Sequence, residues 1–135
     1  MISHDLATRG FTKWHPFNLE TKKEILEALP DDTNGVYILR DKRKFGRYWG
    51  ESDVVYIGCA PKQSLKKRIS LYFRGDESQK TNKRIHDKLN LIKSLEISWI
   101  TCQGEKAKSI EEDLLRLYEE THQELPPFNE QRNRD

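Results

Sequence analysis

Two tyrosines, an arginine and a glutamate are spaced along this chain so that they could handle a phosphate ester. Tyr37 closes Gly35-Val36-Tyr37 and Tyr56 opens Tyr56-Ile57-Gly58, each inside a strand-like apolar run. Ten residues past Gly58 stands Arg68, in Leu65-Lys66-Lys67-Arg68-Ile69-Ser70-Leu71-Tyr72-Phe73. On a helix, Arg68 and Tyr72 share one flank. Two phenols and a guanidinium gathered at one point suit that task, since the guanidinium forks onto phosphate oxygens. Glu111 adds a carboxylate. The periodicity of Ala107, Ile110 and Leu114 starts a helix near Glu105, which leaves Glu111 mid-helix at the border of the buried face. A carboxylate there could hold one hard divalent ion, with water at its other positions.

Each of these residues also has an ordinary reading. Strand tyrosines commonly put the ring in the core and the hydroxyl at its edge. An arginine between lysines is commonly solvated charge. Were the last helix to begin at Ile110, Ser109 and Glu112 would form a capping box and the nearby acids would only complement the helix dipole.

The elements that must position these groups follow from apolar spacing. Thr21 to Glu24 reads as a capping box opening a helix over Lys22–Leu29, stopped by Pro30. After a turn at Asp31–Gly35, Val36–Arg40 and Val54–Ile57 read as paired strands. A helix over Ser64–Phe73 carries Leu65, Ile69, Tyr72 and Phe73 on one stripe and ends at Arg74-Gly75-Asp76. A second spans Thr81–Lys93, with Ile85, Leu89 and Ile92 inward. Leu95–Thr101 is a third strand, and a last helix runs over about Glu105–His122. The order is α-β-β-α-α-β-α, preceded by an irregular leader over 1–20 in which Trp14, His15, Pro16 and Phe17 form an aromatic anchor.

Between the first two strands, Asp41–Asp53 exceeds an ordinary hairpin loop. It mixes Lys42, Arg43, Lys44 and Arg47 with Phe45, Tyr48 and Trp49. Rings among cations suit stacking on bases along a charged backbone. The alternative is that both strands simply run longer and the rings cover the sheet.

A chain of 135 residues makes one domain with a modest core, and 35% hydrophobic against 34% charged residues suggests a heavily solvated surface. No apolar run is long enough to span a bilayer. The N-terminus lacks a basic stretch leading into an apolar segment, so no signal peptide is expected. Cys59 and Cys102 stand alone, with no zinc-site spacing, which fits a reducing intracellular setting. The four histidines form no motif. The net charge of +2 conceals a block over 59–93 with ten basic and three acidic residues. Lys62, Lys66, Lys67, Arg74, Lys83 and Arg84 could there form a phosphate-backbone surface, or merely keep exposed helix faces solvated.

Together these residues resemble the GIY-YIG nuclease superfamily, and among its members the N-terminal nuclease domain of excinucleases. Gly35-Val36-Tyr37 and Tyr56-Ile57-Gly58 are similar to its two signatures, and Leu65–Phe73 to its arginine helix. Glu111 falls where that family places a metal-binding glutamate, and Pro127-Phe128-Asn129 is similar to its closing motif. The resemblance runs from about Asp31 to Asn129. It implies a compact α/β domain, with a three-stranded, mainly antiparallel sheet flanked by helices, that hydrolyses DNA phosphodiesters with Mg2+ or Mn2+. Arg68 would clamp the phosphate, Glu111 would hold the metal, and Tyr56 or Tyr37 would orient or deprotonate water, with Tyr72 beside them. Gly35, Gly58 and Asn129 would support the site. Two departures stand out: Cys59 occupies a position often held by lysine, for which Lys62 is the candidate substitute, and Asp41–Asp53 is longer than in excinuclease domains. Without an appended DNA-binding domain, specificity would come from the leader, that segment, a homodimer or a partner subunit. A nucleic-acid-binding module that has lost cleavage is the alternative.

Overall fold

The computed structural model describes residues 6, 8–74 and 80–129. The expected helix stop at Gly75-Asp76, the first residues of the leader and the residues after Asn129 lie outside them. In chain order the elements are β1 (His15–Pro16), α1 (Lys22–Ala28), β2 (Gly35–Gly46), β3 (Glu51–Ala60), α2 (Leu65–Arg74), α3 (Lys80–Leu91), β4 (Leu95–Thr101) and α4 (Gly104–His122). The strands form one antiparallel sheet in the order β1-β4-β2-β3.

The expected mixed α and β class is observed, but the sheet has four strands rather than three. The extra strand comes from the leader, two of whose residues, His15 and Pro16, join the sheet. His15 pairs with Ile97 and Pro16 with Glu96, and the Phe17 N–H donates to the Leu95 carbonyl at 2.9 Å. Burial explains this order: Leu6 and Phe17 are almost completely covered, and the His15 ring stacks on Trp99 at 4.8 Å. The start of α1 also differs. Thr21 makes no side-chain cap there; the capping box closes one turn earlier, where Asn18 Oδ1 accepts from the Glu20 N–H and Thr21 Oγ1 from the Asn18 N–H. With the Asn18 side chain as its acceptor cap, the helix axis begins with a 3-10 turn over Leu19–Thr21.

Asp41–Asp53 is not a loop inserted between two strands. β2 and β3 run on through it as a long hairpin, interrupted by register shifts between Leu39 and Phe45, and turn at Arg47–Gly50. Gly50 takes φ of +77°, a left-handed conformation that a side chain would strain.

Helices cover both faces. One core gathers Ile25, Leu65, Ile69, Tyr72, Ile85 and Leu89 from α1, α2 and α3 under Tyr37, Leu39, Ile97 and Trp99. On the opposite face Ala107, Leu114, Leu115 and Tyr118 of α4 pack against Val36, Ile38, Val54 and Ile57. Alternation along β2 sends successive residues to these two cores, while on β3 it breaks at the register shift, where Val55 and Tyr56 both join the first. Each fully buried aliphatic chain contributes about 1.5–3 kcal/mol, so the stripe on α2 alone fixes that helix, and with it Arg68, against the sheet. The outer edge of β3 is met by the segment after α4: the Phe128 N–H donates to the Val55 carbonyl at 2.8 Å, and the Asn129 amide bonds both polar groups of Ile57 at 2.9 and 3.0 Å. Among the described residues, no helix is long and apolar enough to cross a membrane.

Candidate active site

The two glycine-tyrosine signatures become one structural unit through the β2–β3 ladder. Tyr37 lies directly opposite Gly58. A Cβ at position 58 would stand 2.7 Å from both the terminal ring carbon and the hydroxyl of Tyr37, and 2.6 Å from the Tyr56 ring. The glycine is therefore the space into which the two phenols fit. Gly35 serves a similar purpose, because a Cβ there would strike the Ile100 carbonyl and lie 2.7 Å from the Leu65 side chain where α2 begins.

Tyr37, Tyr56 and Tyr72 form a ring cluster. Tyr37 is 6.0 Å from Tyr56 and 6.1 Å from Tyr72 between centroids, and the hydroxyls of Tyr37 and Tyr72 are hydrogen-bonded. Arg68 lies one helical turn before Tyr72, with its guanidinium carbon 5.4 Å from that ring's centroid. Its Nη1 donates to Asn82 Oδ1 of α3 at 3.2 Å, and Asn82 is only 1% exposed. Glu111, half-buried on α4, faces the same region beside the Cys59 thiol. Asn129 straps Ile57, the residue between Tyr56 and Gly58, from outside.

The electrostatics follow from burial. Loss of water pushes the phenols of Tyr37 and Tyr72 well up from their ordinary value and raises that of Tyr56, so all three are protonated at neutral pH. Burial works against the Arg68 charge as well, yet the oxygens of Tyr37, Tyr72 and Tyr56 hold its proton more firmly than water does. Glu111 is raised by burial, partly offset by the neighbouring Cys59 thiol and Lys108. Burial and the Glu111 charge push the Cys59 thiol up to about 12, which makes it a neutral hydrogen-bond donor rather than a nucleophile. The lysine that acts on Cys59 and Glu111 is thus Lys108, on the turn of α4 before Glu111. Lys62, expected in that place, lies exposed between β3 and α2.

Tyr37, Tyr56, Arg68, Tyr72 and Glu111 are brought together, with Gly35, Gly58 and Asn129 in supporting positions. The cations expected to meet nucleic acid are not one patch. Arg47 is turned inward, with Nη2 donating to the Leu125 carbonyl at 2.6 Å and pairing with Glu124 at 3.2 Å. It braces the fold rather than offering a free charge, because its neighbours across the hairpin are the carbonyls and acid that follow α4. Arg43 pairs with Asp41 at 2.8 Å, Lys66 with Asp31 at 2.6 Å and Lys83 with Asp87 at 3.5 Å, while Arg84 donates to the Phe128 carbonyl. Lys42, Lys44, Lys62, Lys67, Arg74 and Trp49 are exposed. Asn82 and Lys108 are the site residues that sequence reasoning passed over. Asn82 had a visible signal: it is a polar residue on the stripe of Ile85 and Leu89, three and seven positions on.

Compared with protein-family models, curated proteins and solved structures, the chain gives no match in any of the three. Among the described residues no cage of three or more His, Cys, Asp or Glu is present. What the cluster offers a metal is one half-buried carboxylate. That donor set fits a hard ion that keeps most of its water, and it fits neither zinc nor another metal needing a closed shell of nitrogen and sulfur.

Proposed function

We propose that this chain is a metal-dependent endonuclease that hydrolyses phosphodiester bonds in DNA on the GIY-YIG plan. The observation that carries the reading is the convergence of Arg68, three tyrosines and Glu111, from four separate elements, on one small region. Five charged or phenolic groups held there without a closed set of ion pairs suit a diester anion. Arg68 binds the scissile phosphate and offsets the charge that grows on its oxygens in the transition state. Asn82 holds the guanidinium from behind and so limits its swing. Tyr56 keeps 8% exposure while Tyr37 and Tyr72 are fully covered, so of the three phenols Tyr56 is assigned to orient the attacking water. Its raised pKa makes it a hydrogen-bonding guide at neutral pH; a proton leaves it only with Arg68 alongside. Tyr37, bonded to Tyr72, holds that phenol's ring in place. Glu111 would hold Mg2+ or Mn2+, which when bound supplies Lewis acidity and stabilises the leaving oxygen. An intracellular setting, with a homodimer or partner subunit adding specificity, belongs to the same reading.

The test is a cleavage panel of single-stranded, duplex, branched and RNA substrates with magnesium or manganese and chelator controls. Arg68→Ala is expected to lower the rate on the order of 10²–10³-fold, and an unchanged rate removes Arg68 from the mechanism. The deep burial of Tyr37 and Tyr72 favours a second reading, a nucleic-acid-binding module of the same fold without cleavage. Metal-independent binding with no cleavage of any substrate selects that one.

A further inference from the structure

The turn of the β2–β3 hairpin carries two large rings that the fold leaves uncovered. Tyr48 is 79% exposed and Trp49 67%. Single exposed apolar residues are common, but two adjacent rings at a protruding turn are not explained by packing. Nor is the turn loose. The Trp49 N–H donates to the His122 carbonyl at 3.2 Å, the Trp49 carbonyl meets His122 Nδ1 at 2.8 Å, and the Tyr48 N–H donates to Glu124 at 2.5 Å. Arg47, next in line, is anchored on Leu125. The backbone is thus tied to the end of α4, and only the rings project.

The surroundings give the partner's sign. Segment 42–50 contains four cations and no acid, with Asp41 and Glu51 at its ends and Glu124 against the turn. Arg43 and Arg47 are engaged by Asp41 and Glu124, while Lys42 and Lys44 stand exposed on the strand leading to the turn. A held turn with two rings, approached by a lysine-bearing strand, matches a polyanion that also offers flat apolar faces. Unpaired bases on a phosphate backbone have both properties, whereas a closed duplex hides its base faces.

We infer that the hairpin turn is a stacking platform for unpaired DNA bases, with Tyr48 and Trp49 taking the bases and Lys42 and Lys44 the adjoining phosphates. The inference rests on the proposed nuclease reading for its choice of polymer. It deepens that reading by naming the substrate class: DNA that is single-stranded or splayed beside the cut. From Tyr37 to Gly46 the strand reaches up to roughly 30 Å, on the order of nine base steps of duplex at 3.4 Å each. The platform would then hold an unpaired base within about that distance of the scissile phosphate.

Binding in chelator tests this without cleavage. Fluorescence anisotropy of the full chain is measured on three labelled probes: oligo(dT), a fork with splayed arms, and a closed duplex. In Y48A/W49A, affinity for oligo(dT) and fork is expected to fall about ten- to a hundredfold, with duplex binding changed less than about twofold. W49F should recover most of the loss, and the salt dependence should be unchanged. In K42Q/K44Q the fall should be shared by all probes and the salt slope should drop. Equal losses on duplex and oligo(dT), or no loss in Y48A/W49A, would overturn the platform. Tighter binding to oligo(U) than to oligo(dT) would overturn the DNA assignment. Discrimination in binding with no cleavage under magnesium would leave the platform standing and sink the nuclease reading, and no binding to any probe would sink both.

Discussion

At the scale of single residues, one missing methyl group organises the site. Gly58 leaves the space that the Tyr37 phenol occupies. Gly58→Ala would press that methyl against two rings that neighbours hold on all sides, at a cost of about 1–3 kcal/mol. A chemical melt should show that loss together with a fall in cleavage, and a fully active, equally stable variant would remove the glycine's structural role. Glu111 makes the converse prediction. Its raised pKa means that the folded chain keeps this proton to higher pH than the unfolded chain does. Its ionisation therefore subtracts stability as pH rises from the ordinary glutamate range through the raised value. Glu111→Gln should melt higher than the parent at neutral pH, the gap closing as pH falls back toward the ordinary range, while cleavage is lost throughout. A lower melting temperature at neutral pH would show that the carboxylate is structural. Tyr37, Tyr56, Arg68 and Glu111 stand out by residue type, joint spacing and resemblance to a family, and the fold brings them near one another. Asn82 and Lys108 could not be assigned in the same way, since their roles come from α3 and α4 packing beside residues distant in sequence.

At the scale of elements, the long hairpin depends on a contact far along the chain. Arg47 is largely buried and bonds the Leu125 carbonyl and Glu124, while its Nε has no partner. Arg47→Ala loses a charged hydrogen bond but frees that unsatisfied donor, so the net cost should be modest, about 1–2 kcal/mol. Hydrogen exchange should place the change: faster at the amides of Tyr48 and Trp49, unchanged at Ile69 in α2. Uniform acceleration would mean that Arg47 supports the whole fold instead. The hairpin's length was open in the sequence, because the exposed run Lys42-Arg43-Lys44 breaks the alternation that marks a strand, and the register shifts beside it account for the break. The two residues of β1 are too few to show any period. By contrast the helices and β4 were legible almost to their ends, since each buries a regular stripe.

At the scale of the whole molecule, two cores share one sheet, and the catalytic candidates gather where that sheet ends. The class of fold followed from alternating apolar stripes, but its outermost boundary did not, because a side-chain amide at Asn129 forms it. β3 is the last strand, and Val55 and Ile57 would otherwise present open backbone groups on an apolar ribbon. Such a ribbon is a template on which a second chain can lay its own strand. Asn129, by bonding both the N–H and the C=O of Ile57, takes the place that such a chain would occupy. Asn129→Ala should therefore show itself first as concentration-dependent self-association in light scattering, before any change in helix content. The residue that closes the candidate site from outside also covers the edge on which such a strand would add.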